Sequence, residues 1–196
     1  MKNKAIIAGG SYIIIFIAAI FANFMVLESL IDNPLKTVQE DGIMVRFGII
    51  AFLVTVVFDV VVAWALYELY KGHNLNLLST LFRMMHASIM GVAIFALPLI
   101  LNLTSEEAIL NQVSTFNTIW LIGLFFFGIH LILLGKMIQK PKLIEVFLII
   151  AGIMYMADTS AHFLMPNYTD YQNIFLALVA IPSIIGEMAF AIWLFG

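Results

Sequence analysis

The chain has 196 residues, of which 63% are apolar and only 11% are charged. A soluble domain of this size could not cover so much apolar surface, so the composition predicts a membrane protein with room for about six spans. The net charge is −3, and the sequence has no basic stripe that would favour binding to nucleic acid. The lack of cysteine excludes disulfides, thiolate catalysis and cysteine-bound metals.

The first apolar run follows the basic start Met-Lys-Asn-Lys, which resembles the opening of a signal peptide. The run from Ala5 to about Leu30 is too long for a signal-peptide core and ends without a small-x-small cleavage site. We therefore expect an uncleaved first membrane span. A polar stretch with the breakers Pro34 and Gly42 follows, and it predicts an exposed loop with room for one interfacial turn.

Five more apolar runs follow, and each predicts a membrane-spanning helix. The expected fold is all-α: a bundle of six transmembrane helices in a single transmembrane domain over residues 1–196. Asp59 in span 2 and Asp158 in span 5 occupy similar positions, as a three-plus-three inverted repeat would produce. Pro98 is expected to kink span 3. The six predicted spans are residues 5–30, 43–70, 75–101, 115–134, 143–164 and 174–195.

The loops on the two sides differ in basic residues. One side has Lys36, with Arg46 just inside span 2, and it also holds the acidic loop from Asn102 to Gln112. The other side includes the basic hinge GKMIQKPK at residues 135–142. The positive-inside rule then predicts a cell-membrane protein with both termini in the cytoplasm. The lysines counted on the cytoplasmic side are Lys2, Lys4, Lys71, Lys136, Lys140 and Lys142.

Several ionisable residues lie inside the apolar runs. Each costs about 2.5 to 3.5 kcal/mol at a helix centre, so they must face one another or water. At 1.5 Å per residue, five of them fall in one layer, about 8 to 15 Å from the cytoplasmic end. An arginine stays charged and needs a carboxylate partner, and both carboxylates of the layer are candidates. The layer consists of Asp59, Arg83, His86, His130 and Glu187.

A second polar layer is predicted nearer the outer face. Asp158 lies about 22 Å from the cytoplasmic end, and His162 is one turn further out on the same helix face. Tyr155, three residues before Asp158, is expected to hydrogen-bond to that carboxylate. Pro182 lies five residues before Glu187, where it weakens the helix ladder and frees a carbonyl.

Five stretches of the sequence are together typical of one family. They are FDVVVAWALYEL, LLSTLFRMMHA, FFFGIHLILLG, AGIMYMAD and GEMAFAIWLF. With them, nearly the whole chain resembles the uncharacterised bacterial membrane-protein family labelled domain of unknown function 4386. The resemblance brings no activity, and it places His86 and His162 where the family is not expected to require histidine. It implies that the family pattern carries over to Asp59, Arg83, His130, Asp158 and Glu187.

Buried acids, bases and histidines near the membrane midplane are typical of sites that bind or conduct a small solute or protons. This is the predicted function, and membrane lipids are the expected partners. A scaffold or partner subunit is one alternative, in which the buried ion pairs only assemble the bundle.

Two further alternatives require a cofactor. A zinc-dependent lipid hydrolase would draw its ligands from His86, His130, Asp158 and His162. The predicted depths oppose a single zinc site because His130 and His162 lie roughly 20 Å apart along the membrane normal, and neither HExxH nor GxSxG occurs. Non-covalent haem between His86 and His130 is the other alternative.

Overall fold

The computed structural model describes residues 2–139 and 141–196, so Lys140 of the basic hinge lies outside the described residues. Within these ranges the chain is helical, without a β-strand. Six helices are long and apolar enough to cross a membrane, which confirms the predicted all-α bundle. They are span 1, Lys2–Asp32; span 2, Gly42–Leu69; span 3, Asn76–Ile100; span 4, Glu106–Met137; span 5, Lys142–Leu164; and span 6, Tyr168–Trp193.

Spans 4 and 6 begin well before the apolar runs that predicted them. Span 4 starts at Glu106, so the prediction of a loop as far as Gln112 is wrong. Ser105 caps this helix, because its side chain accepts a hydrogen bond from the Ala108 N–H at 3.1 Å. Span 6 starts at Tyr168, within the stretch predicted as a loop. Hydropathy marks the part of a helix that lies in lipid, and these helices continue beyond it.

Local irregularities occur toward the C-terminal ends of spans 1 and 3. Span 1 contains a π-helical segment, Phe21–Leu27. The polar stretch after span 1 forms a short helix, Pro34–Glu40, in place of a single turn. Span 3 is interrupted at Phe95. The interruption lies beside Ile94, whose carbonyl has no N–H partner at Pro98. The helix is thus broken close to Pro98, and the kink of span 3 stays a prediction.

Consecutive spans pack side by side, and span 6 also packs against span 1. Glycines permit the closest approaches between neighbouring helices. A Cβ atom on Gly128 of span 4 would lie 2.5 Å from the carbonyl oxygen of Gly152 in span 5. A Cβ atom on Gly9 of span 1 would lie 2.8 Å from the Ala191 carbonyl oxygen in span 6. The six spans therefore form a closed ring of helices. The three-plus-three inverted repeat stays a prediction.

The bundle has two apolar cores, one in each half. The terminal half is the half nearer the start of span 1 and the end of span 6, and the distal half is the other one. The terminal core draws on spans 1, 2, 4, 5 and 6, and Leu75 before span 3 packs against it. The distal core draws on spans 1 to 4 alone. Representative residues are Tyr12, Leu131, Leu148 and Phe190 in the terminal core, and Val26, Phe52, Ile94 and Val113 in the distal core.

Candidate functional site

Arg83 lies at the centre of a polar network in the terminal half. Its side chain is 1% exposed. One guanidinium nitrogen, Nη2, donates to Asp59 Oδ1 at 2.5 Å, and the other, Nη1, donates to the Tyr12 hydroxyl at 2.7 Å. The Tyr12 and Phe127 rings flank the guanidinium, with their centroids 4.8 and 5.3 Å from Cζ. Asp59, one of the two candidates, is therefore the carboxylate that pairs with this buried cation.

His130 of span 4 supports the same guanidinium. Its Nε2 lies 3.2 Å from Arg83 Nη1. Arginine has only donors, so Nε2 must accept this hydrogen bond. The proton of the neutral ring then sits on Nδ1, which donates to the Ser79 carbonyl oxygen at 3.0 Å. The Ser79 hydroxyl lies 2.9 Å from the same nitrogen. His130 is thus fixed as one neutral tautomer that orients Arg83.

His86 of span 3 lies on the other side of the Asp59 carboxylate. Its Nδ1 is 3.0 Å from the Gly123 carbonyl oxygen. A carbonyl can only accept, so Nδ1 carries a proton. Nε2 then faces Asp59 Oδ2 at 3.5 Å, and the ring packs against Phe127 with 4.6 Å between centroids. Asp59 is held between a permanent cation and a histidine whose second nitrogen can take up a proton.

Glu187 of span 6 lies beside this network without joining it directly. The residue is half-buried and forms no salt bridge with any described residue. Its carboxyl lies beside the Tyr155 hydroxyl and within the electrostatic influence of Arg83 and Asp59. Arg83 Nε is buried and has no hydrogen-bond partner among the described residues. Glu187 therefore lies at the edge of the network, and one guanidinium nitrogen of Arg83 has no partner among the described residues.

The outer polar residues are organised differently from the expectation. Asp158 Oδ1 accepts a hydrogen bond from the Tyr168 hydroxyl at 2.7 Å, so the prediction that Tyr155 bonds to Asp158 is wrong. The Tyr168 ring also packs edge-on against His162, with centroids 4.7 Å apart. Asp158 and His162 form no salt bridge with each other. A tyrosine of span 6 therefore joins the two side chains that helix spacing had paired.

Tyr12 and Ser79 are two members of the network that the sequence did not indicate. Tyr12 is 4% exposed and Ser79 is 1% exposed. A signal for Tyr12 was present, because it lies about 15 Å into span 1, the same depth as the predicted charged layer. A hydroxyl at the depth of a buried arginine is a natural hydrogen-bond partner. Ser79 gave no comparable signal, because one of its two contacts with His130 is made by the backbone carbonyl, which every residue has.

Comparison with known proteins identifies the family of the chain. The chain matches the family model described as Domain of unknown function (DUF4386) over residues 7–196. The chain belongs to this family. It is also similar to an uncharacterized protein of Archaeoglobus fulgidus, with 28% identity over 154 residues that make up 76% of this chain and 82% of the relative. No solved structure matches the chain.

Membership in DUF4386 confirms the resemblance found in the sequence and supplies no activity. The chain is a multi-span, membrane-type member of the family with ionisable residues buried inside its helices. The chemistry available to the chain therefore depends on its side chains and their contacts.

The donor geometry opposes a zinc site built from the predicted ligands. Among the described residues, no group of three histidine, aspartate or glutamate side chains is placed to hold a metal ion. Both nitrogens of His130 are already engaged, one by Arg83 and the other by Ser79. His162 lies with Tyr168 and Asp158 in the distal half, apart from the other histidines.

The same geometry opposes haem between His86 and His130. The Phe127 ring packs against both imidazoles, with centroid distances of 4.6 and 5.8 Å. Neither His130 nitrogen is left to coordinate iron, and His86 Nδ1 is engaged by Gly123. A haem plane would have to displace Phe127 and break the Arg83 hydrogen bonds.

Proposed function

We propose that the protein, as a single transmembrane domain, binds protons at the network around Asp59 and transfers them within the membrane. The network consists of Tyr12, Asp59, Arg83, His86 and His130, with Glu187 and Tyr155 at its edge. A proton or a small solute carried with it is the expected cargo. Buried ionisable groups of this kind are the usual parts of proton relays and transport sites in membrane proteins.

The observation that carries the proposal is the placement of His86 Nε2 against Asp59 Oδ2 at 3.5 Å. With Nδ1–H donated to Gly123, a neutral His86 directs the lone pair of Nε2 at a carboxylate. One added proton on Nε2 turns this contact into an ion pair. Nε2 of His86 is thus a binding position for one extra proton, and the negative charge of Asp59 attracts a proton to it.

The charges around this place support exchange of the proton. Arg83 and Asp59 together are neutral, and His130 is held neutral by its hydrogen bonds. A protonated His86 gives the cluster one net positive charge, which an ionised Glu187 nearby would offset. Proton transfer from the protonated His86 to the ionised Glu187 would restore neutrality on both sides. Nothing but the proton moves in this step, so no redox partner or leaving group is required.

Proton flux in proteoliposomes tests the proposal. The purified protein is reconstituted with a trapped pH-sensitive dye, and a pH step or a membrane potential is applied. We expect a flux above that of empty liposomes, with a loss of at least tenfold in His86→Gln, which cannot take up a proton at this position. The matched control is His73→Gln, which changes a histidine in the turn between spans 2 and 3 and should retain the flux.

Two results would overturn the proposal. One is a folded wild-type protein with no flux above empty liposomes under either driving force. The other is undiminished flux in both Asp59→Asn and His86→Gln. Because Asp59→Asn removes a partner of Arg83, its folding is checked by size-exclusion chromatography and circular dichroism.

A role limited to assembly is the second candidate, because Arg83 ties together four spans. Its contacts reach span 1 through Tyr12, span 2 through Asp59 and span 4 through His130. An assembly role predicts that Arg83 and Asp59 can be replaced together by apolar residues with function intact. A proton-binding role predicts that the same double replacement abolishes flux in a folded protein.

We also propose that the terminal side faces the cytoplasm of the cell. Lysines near the start of span 1, Lys71 after span 2 and the lysines of the basic hinge support this orientation. A reporter fused to the C-terminus and assayed on each side of the membrane tests it.

A further inference from the structure

The two ends of span 6 share one helix face but not one environment. Leu176, Ser183 and Phe190 follow each other at intervals of seven residues, which places them on the same side of the helix. Phe190 is 0% exposed, Ser183 is 6% exposed and Leu176 is 63% exposed. The buried residues of span 6 begin at Pro182. The face that closes the terminal half is therefore uncovered in the distal half.

Span 5 presents polar side chains along the corresponding length. Tyr155, Asp158 and His162 are spaced by three and four residues and so lie along one side of the helix. The Tyr155 ring packs edge-on against Phe127 with 5.6 Å between centroids, which places this side toward the interior. The first turn of span 6 adds Tyr168, which bonds to Asp158. Polar groups thus extend from the distal end of span 5 to Glu187 beside Tyr155.

Some of these groups are unsatisfied by the protein. His162 Nδ1 is buried without a hydrogen-bond partner among the described residues, and the same holds for Arg83 Nε at the network. Glu187, in the same layer as Arg83, forms no salt bridge with a described residue. A buried polar group without a partner costs about 1 to 3 kcal/mol, which ordered water can recover.

We infer that water enters the bundle from the distal side, between the distal half of span 6 and spans 1 to 4, and reaches Glu187 along the polar side of span 5. The inference rests on the proposed function for its cargo, since this water would deliver the proton to Glu187 and the His86–Asp59 pair. The terminal core is a continuous apolar cluster that includes Phe190 and Leu131. In this proposal it blocks the entry of water from the terminal side.

The absence of native cysteine makes the path directly measurable. Single cysteines are introduced into the full chain at Leu176 and Ser183, and a charged, membrane-impermeant methanethiosulfonate is added on the distal side of proteoliposomes. Thiols react as thiolates, which form in water and not in lipid or in a dry core. We expect both Leu176→Cys and Ser183→Cys to react at least tenfold faster than the control variants.

Two control variants match Ser183 in depth. Thr55→Cys lies in span 2, about 20 Å from the distal end, whereas Ser183 lies about 22 Å from it. Thr55 is 3% exposed, and its hydroxyl donates to the carbonyl oxygen of Phe52, a residue of the distal core. Ile185→Cys lies two residues beyond Ser183, on the exposed side of span 6 with Ile181 and Ile192. The first control reports a packed interior, and the second reports a surface covered by lipid.

Slow reaction of Ser183→Cys, equal to that of Ile185→Cys, overturns the path even if proton flux is present. Labelling that stops at Leu176→Cys also overturns it, because it shows a crevice filled by lipid. Fast, distal-side labelling of Ser183→Cys supports the path. If the wild-type protein then shows no flux, the proposed function fails while the water path stands.

Discussion

The terminal and distal halves of the bundle are built from the same helices and differ in how many of them share a core. In the terminal half, five spans contribute to one apolar cluster, and the Arg83 network lies within it. In the distal half, only spans 1 to 4 do so. Span 6 is strongly apolar along most of its length, yet its buried residues all lie from Pro182 onwards. Apolar composition therefore places a helix in the membrane, whereas contacts with neighbouring helices determine which part of it is buried in the bundle.

The largest effect is expected from breaking the charge pair of the terminal half. Arg83→Met leaves the Asp59 carboxylate buried without its cation, and we expect a loss of about 3 to 5 kcal/mol in the free energy of unfolding. Adding Asp59→Leu should recover most of that loss, because both charges are then gone. Unfolding in detergent, followed by circular dichroism, measures the set.

Arg46→Met provides the matched control for this pair. Arg46 is an exposed arginine at the distal end of span 2, and its replacement should change stability by less than about 0.5 kcal/mol. An Arg83→Met variant as stable as Arg46→Met would show that the network does not hold the terminal half together.

A smaller effect is expected from the two ends of span 6. Phe190→Ala removes a fully buried ring of the terminal core. We expect a loss of about 2 kcal/mol in the free energy of unfolding. The loss is moderate because a membrane helix that loses its packing is surrounded by lipid and not by water. Leu176→Ala, on the same face in the distal half, should cost less than about 0.5 kcal/mol. Equal losses in the two variants would contradict the difference between the halves. The measurement is again unfolding in detergent.

The smallest effect concerns the contact that closes the ring. Gly9→Ala places a methyl group 2.8 Å from the Ala191 carbonyl oxygen, and it should cost about 1 kcal/mol by pushing spans 1 and 6 apart. The neighbouring Gly10→Ala meets no atom within 4 Å and should be neutral. Crosslinking between cysteines placed on spans 1 and 6 reports the separation, and unchanged crosslinking in Gly9→Ala would count against a close seam.

The fold was largely predictable because apolar runs of this length have few other structures available in a membrane. The ends of helices were less predictable: Glu106 begins a helix by capping and charge, which hydropathy does not register. Depth along each span indicated that Asp59, Arg83, His86 and His130 could meet. It did not indicate which carboxylate pairs with Arg83, because that depends on the rotation of spans 2 and 6 about their axes.

The remaining site features depend on contacts between distant parts of the chain. Tyr12 looks like any aromatic residue of an apolar span until its hydroxyl is seen 2.7 Å from Arg83. Tyr168, predicted to lie in a loop, joins Asp158 to His162 only because span 6 begins there. Helix spacing within span 5 could not anticipate a partner from another helix.

The pairing of Arg83 with Asp59 also bears on how the chain enters the membrane during synthesis. Span 3 is the least hydrophobic of the six spans and carries the arginine, whereas span 2 is the most hydrophobic and carries the aspartate. Alone in lipid, a central arginine costs about 2.5 to 3.5 kcal/mol of insertion free energy. Span 3 is therefore expected to insert together with span 2, as a helical hairpin whose charges neutralise each other before the later spans arrive.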